Sequence, residues 1–207
     1  MKKIGIFGGT FDPVHIAHLR TAIELRKALG LDNVNLLPCH QPAHRAEPGD
    51  SSAQRIHMLE LSIESVERLS IDTREAERDE PSYTVNTLAS YRTEHPAAAL
   101  LLFMGMDAFD NFTRWYEWQK ILEVAHLVLV ERPGSTLSGD ELQLLKERQV
   151  NSVDDADSLS GSILLQSVTQ IDISATRIRQ LVSQNGDISY LVTDAVRRYI
   201  KNEGLYC

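Results

Sequence analysis

Short apolar runs alternate along this chain with stretches whose apolar residues recur at helical spacing, a pattern that predicts strands separated by helices. Ile4, Ile6 and Phe7 predict a short buried strand. A turn at Gly8-Gly9-Thr10 follows, then a helix entered near Val14, with Asp12 as its cap and Pro13 in its first turn. Ile16, Leu19 and Ile23 carry that helix over residues 16–29, and Gly30 stops it. Residues 34–38 predict the second strand, so strand, helix and strand in quick succession imply a parallel crossover. Ser51 or Ser52 caps a helix reaching about residue 65, with Ile56, Leu59 and Ile63 turned inward. Residues 69–71 start a third strand, and the charge run over 74–80 reads as a solvated face.

Farther along, Pro81 to Val85 open a helix that continues to residue 94. Residues 98–104 form the clearest fully buried strand, residues 126–131 another and residues 163–168 a sixth. Helices are expected over 138–148, after Ser174 with Ile178, Leu181 and Val182 inward, and near 194–202 up to Gly204. Residues 151–161, polar and acidic, read as an exposed excursion without chemistry. Six strands alternating with helices imply the α/β class: a doubly wound, mostly parallel sheet in one domain spanning 1–207.

Composition narrows the function classes. The chain has 207 residues, 43% hydrophobic and 24% charged, as expected for a soluble globular protein with a substantial core. A net charge of −8 argues against a nucleic-acid partner, so any positive potential must be local. Cys39 and Cys207 are too few for a disulfide framework and point to a reducing compartment. No apolar run approaches a membrane span and no signal peptide opens the chain, so the expected location is cytoplasmic, without a membrane partner. The oligomeric state is left open, a homo-oligomer included.

Candidate chemistry concentrates in the first turn. Adjacent glycines let a phosphate approach the backbone, and the first amides of the following helix have no intrahelical partner. His15 and His18, three apart, share one helix face and point at one object. They could be ordinary polar residues, or a metal-binding pair, although no cluster supplies the other ligands. Neither G-x-G-x-x-G nor G-x-x-x-x-G-K-[ST] occurs, which disfavours a redox dinucleotide enzyme. Gly105 at a strand's end permits close approach of a ligand, Asp107 is placed to accept hydrogen bonds and Trp115 offers a flat face. Ser174 caps a helix whose start carries Thr176, Arg177 and Arg179, a second anion site.

Gly8-Gly9-Thr10-Phe11-Asp12-Pro13-Val14-His15-Ile16-Ala17-His18 resembles the signature of the H-x-G-H nucleotidyltransferase superfamily, with Ala17 in place of the motif glycine. The longer G-G-T-F-D-P-V-H form is similar to that of bacterial nicotinate-mononucleotide adenylyltransferases. Ser82-Tyr83-Thr84, Gly105-x-Asp107 with Trp115, Arg132-Pro133-Gly134 and Ile173-Ser174-Ala175-Thr176-x-x-Arg179 resemble further segments of that family. The resemblance implies a Rossmann-like nucleotidyltransferase fold and transfer of AMP from ATP to nicotinate mononucleotide, releasing pyrophosphate. It implies catalytic roles for His15, His18 and Arg179. It assigns ATP binding to Gly8, Gly9, Thr10, Phe11, Arg45, Gly105, Asp107, Ser174 and Thr176, and mononucleotide binding to Tyr83, Thr84, Trp115 and Arg132. Magnesium is expected with ATP and held mainly by the nucleotide, with no metal-binding residues. Transfer to nicotinamide mononucleotide or phosphopantetheine stays open, as does a non-catalytic nucleotide-binding role.

Overall fold

The six expected strands are β1 Lys3–Gly9, β2 Asn33–Pro38, β3 Leu69–Ile71, β4 Ala99–Gly105, β5 His126–Val130 and β6 Ile163–Gln166. The helices are α1 Ile16–Ala28, α2 Ser52–Ile63, α3 Thr84–Glu94, α4 Met106–Phe109, α5 Trp118–Val124, α6 Gly139–Arg148, α7 Ala175–Ser183 and α8 Asp194–Glu203. These are the elements of a computed structural model that describes residues 1–41, 50–131, 137–155 and 158–207. Arg45 and Arg132 lie outside the described residues. The strands pair in the order β3-β2-β1-β4-β5-β6, every neighbouring pair parallel.

Side-chain alternation explains why helices cover both faces. In β4, Ala99, Leu101 and Phe103 join the core beneath α1, α2, α7 and α8. Leu100, Leu102 and Met104 join the core beneath α3 to α6. A period of two puts successive residues on opposite faces, so a strand apolar at every position must be covered twice. The strand order reverses between β1 and β4, and at such a switch point the loops leave in opposite directions and open a crevice.

Five local expectations change. Gly8 and Gly9 belong to β1, and the turn falls on Asp12-Pro13, joined by a cis peptide bond. The cap of α1 is His15, three residues beyond the expected Asp12, which is instead buried. The inner face of α2 is Arg55, Met58, Leu59 and Ser62, with Ile56 and Ile63 only partly covered. The run 74–80 is not a solvated face: Glu75 is buried, and Arg74 stacks over the Tyr91 ring while pairing with Asp72 and Glu94. Within the stretch read as an exposed excursion, Val153 is buried and Asp154 pairs with Lys3 at 2.7 Å.

Candidate active site

The carboxyl ends of β1 and β4 open into two cavities of about 630 and 660 Å³ that share Phe7, Gly9, Thr10 and Gly105. The first is lined by Tyr83, Thr84, Trp115 and Tyr116 beside Asp107 and Glu75. The second is lined by His15, His18, Ser174, Thr176 and Arg179. Of the described candidate residues, Gly9, Thr10 and Gly105 border both cavities, and Phe11 the second. Gly8 and Asp107, read as ATP contacts, stand on the aromatic side. A Cβ added at Gly8 or Gly105 would meet no atom within 4 Å, so either methyl would enter open space rather than the core.

The histidine pair is held from several sides. His15 and His18 stack with ring centroids 3.6 Å apart and planes 19° apart. The His15 main-chain N–H donates to His18 Nδ1 at 3.3 Å. Because Nδ1 accepts, neutral His18 carries its proton on Nε2. Phe11 meets the His18 ring edge-on at 5.1 Å. Phe11 is itself buried, with φ of 50°, a left-handed conformation costing a bulky residue about 1–2 kcal/mol. Gly9 makes room for that ring: a Cβ there would come within 3.0 Å of it. Burial pushes the His15 pKa down to about 4, so its ring is neutral at neutral pH. One early α1 amide is already used, since Ile16 N–H donates to the Leu191 carbonyl at 2.9 Å.

The α7 start takes the expected form. Ser174 Oγ accepts from the Arg177 N–H at 3.2 Å, and Arg179 Nη2 lies 3.4 Å from Thr176 Oγ1. Arg179 also reaches back to the turn after β1, donating to the Asp12 carbonyl at 2.5 Å. Beneath Thr10, the fully buried Arg55 donates to the Thr10 carbonyl at 2.6 Å and to Ser52 Oγ at 2.8 Å.

In the aromatic cavity the α3 start is capped by Tyr83, whose carbonyl accepts from Asn86 and Thr87. That leaves the Thr84 and Val85 amides in the first turn, where no intrahelical acceptor exists. Tyr83 packs against Tyr116 at 4.6 Å, and Trp115 packs against Phe112 at 5.7 Å. Ser82 Oγ accepts from the His40 and Gln41 N–H groups at 3.2 and 3.3 Å. The Glu75 carboxylate accepts from Thr87 Oγ1 at 2.8 Å, and burial pushes its pKa up. Glu75, Asn111, Arg114 and Tyr116 line this cavity without having been singled out in sequence. Arg55 and Glu75 carried no local signal, because each sits in a helix face or charge run that reads as solvated.

Two adjoining cavities on a parallel switch point, one lined by histidines and an arginine and one with aromatic walls, are the arrangement of a nucleotidyltransferase, and a family model described as cytidylyltransferase-like matches residues 6–181. A probable nicotinate-nucleotide adenylyltransferase of Cellvibrio japonicus is 46% identical over 98% of both chains. One from Aeromonas hydrophila is 44% identical over 98% of this chain and 96% of its own. The chain belongs to the nicotinate-nucleotide adenylyltransferase family. The Plasmodium falciparum nicotinic acid mononucleotide adenylyltransferase, solved with NaAD, shares the fold with a TM-score of 0.78 at 18% identity, covering 100% of this chain and 98% of that one. Among the described residues no helix is long and apolar enough to cross a membrane.

Proposed function

We propose that this protein transfers AMP from ATP to nicotinate mononucleotide, forming nicotinate adenine dinucleotide and pyrophosphate in NAD synthesis in the cytoplasm. The observation that carries the reading is the junction of the two cavities at Gly9, Thr10 and Gly105. A triphosphate beside the histidines and Arg179 meets there a mononucleotide whose ring lies between aromatic walls. The activity in the names of the full-length relatives supports the same reading.

In this reaction a phosphate oxygen of the mononucleotide attacks the α-phosphorus of ATP in line. The new P–O bond forms as the bond to the bridging oxygen breaks, and the electron pair leaves with pyrophosphate. The attacking phosphate is already ionised, so the protein supplies position and charge stabilisation rather than a nucleophile or base. His18 Nε2–H donates to the α-phosphate, with neutral His15 stacked behind it. Arg179, Ser174 and Thr176 hold the leaving pyrophosphate, and Arg45 assists. The Thr84 and Val85 amides take the ring carboxylate, Tyr83 and Trp115 flank the ring, and Arg132 also binds the mononucleotide. A magnesium ion would neutralise triphosphate charge. No group of three or more metal-ligating side chains occurs among the described residues, so phosphate oxygens and water would hold it.

One observation favours a second reading, transfer to the amide mononucleotide. The aromatic cavity is not lined by donors alone, because buried Glu75 stands in it as an acceptor. Pyrophosphate release with ATP and magnesium, offered the acid mononucleotide, the amide mononucleotide and phosphopantetheine in parallel, tests both. Preference for the acid is expected. Equal use of acid and amide would remove the carboxylate pocket, and no release with any acceptor would remove the enzymatic reading.

A further inference from the structure

Asp12 joins three parts of the chain that lie far apart in sequence. Its carbonyl accepts from Arg179 Nη1 at 2.5 Å, and its Oδ2 stands 3.5 Å from the same nitrogen. Its Oδ1 accepts from the Tyr206 hydroxyl at 2.9 Å. Tyr206 arrives there because α8 ends at Gly204 in the left-handed conformation and the Leu205 N–H turns back onto the Ile200 carbonyl at 3.0 Å. Tyr206 itself holds φ of 63°, a conformation that tyrosine adopts at a cost and that persists only where the surroundings enforce it.

From this arrangement we infer that Tyr206 is a positioning residue for Arg179, acting through Asp12 and keeping the guanidinium available to the phosphates. The inference rests on the reading of the histidine-lined cavity as the ATP site. The reason lies in how the carboxylate is shared. A buried carboxylate beside an arginine prefers a two-point pairing, which occupies the fork that a phosphate would use. The Tyr206 hydroxyl takes Oδ1, so Asp12 offers Arg179 its carbonyl and one distant carboxylate oxygen. The guanidinium is then anchored by its Nη1 edge, with Nη2 3.4 Å from Thr176 Oγ1, and Arg179 lines the cavity. Burial, then the hydrogen bond that the hydroxyl also makes to Asp50 and the nearby Asp12 carboxylate, holds the Tyr206 pKa well above the usual tyrosine range, so the phenol stays a neutral donor.

Tyr206→Phe removes the hydroxyl and keeps the ring, and it is compared with Arg179→Ala and with the double variant. The expected result is a rise of about tenfold in the KM for ATP and in the Kd for inorganic pyrophosphate, measured by calorimetry, the size of effect seen when a hydrogen bond to a charged group is lost. The KM for the mononucleotide should stay near that of the unsubstituted protein, while the melting temperature falls by a few degrees because the buried Asp12 carboxylate loses a donor. In the Arg179→Ala background the same change should add nothing, because the hydroxyl acts only through that guanidinium. Unchanged KM and Kd in Tyr206→Phe would overturn the inference, as would an undiminished effect in the Arg179→Ala background. If the unsubstituted protein releases no pyrophosphate from ATP, it is the ATP-site reading that fails.

Discussion

The ring of His18 lies 3.6 Å from that of His15, and the His15 main-chain N–H donates to its Nδ1. The two histidines are therefore not equivalent. His15 is the buried cap and support, and His18 is the ring whose tautomer is set so that Nε2–H can reach outward. The three-residue spacing puts both on one face, but the cap geometry divides the roles.

His18→Ala should lower turnover by at least about tenfold, roughly 1.4 kcal/mol of transition-state stabilisation, with the KM for the mononucleotide little changed. Steady-state pyrophosphate release measures this. A smaller loss would remove His18 from the reacting centre.

Trp115 lines the cavity that Tyr83 and Tyr116 wall. Trp115→Ala should raise the KM for the mononucleotide about three- to tenfold, the worth of one aromatic contact of about 0.5–1.5 kcal/mol, and leave the KM for ATP unchanged. An equal rise in both would mean that Trp115 holds the fold of the site rather than a ring.

Glu75 tests acid against amide. An acceptor buried in the aromatic cavity opposes an anionic ring substituent, so Glu75→Gln should shift kcat/KM toward the acid mononucleotide by about fivefold, on the order of 1 kcal/mol. Direct competition of the two mononucleotides reads the ratio. A ratio that does not move would mean that the carboxylate serves only Thr87 and Ser82.

Stability should fall in mild acid. Burial lowers the pKa of His15 and of His126 to about 4, from 6.5. Between those values the unfolded chain binds protons that the folded chain excludes, so stability is full above pH 6.5 and declines as pH falls toward 4. The loss is at most about 3 kcal/mol per histidine. Urea unfolding at pH 7.5 and pH 5 measures it, and His126→Gln should flatten part of the slope. A pH-independent midpoint would mean that these rings are not held neutral.

Much of the scaffold was legible because its causes are local. β3 appears at residues 69–71, and Ser174 caps α7 through the Arg177 amide, where residue type and spacing placed them. The entry to α1 was misplaced for an equally local reason. Asp-Pro reads as a cap followed by a first-turn proline, and nothing in the sequence reveals that Asp12 is engaged by Tyr206 and Arg179 instead.

The sequence by itself determined the α/β alternation, the glycines at the ends of β1 and β4, and the pairing of a histidine motif with a Ser-Thr-Arg helix start. The first two follow from period and turn chemistry within a few residues, and the pairing follows from the family resemblance. Only the tertiary structure decided which charges are buried and what they hold: Arg55 beneath Thr10, Glu75 against Thr87, and Asp12 between Arg179 and Tyr206. A charged side chain is stable in the interior only when a partner offsets its desolvation. Those partners are brought in by strand order and helix packing, which no local pattern encodes.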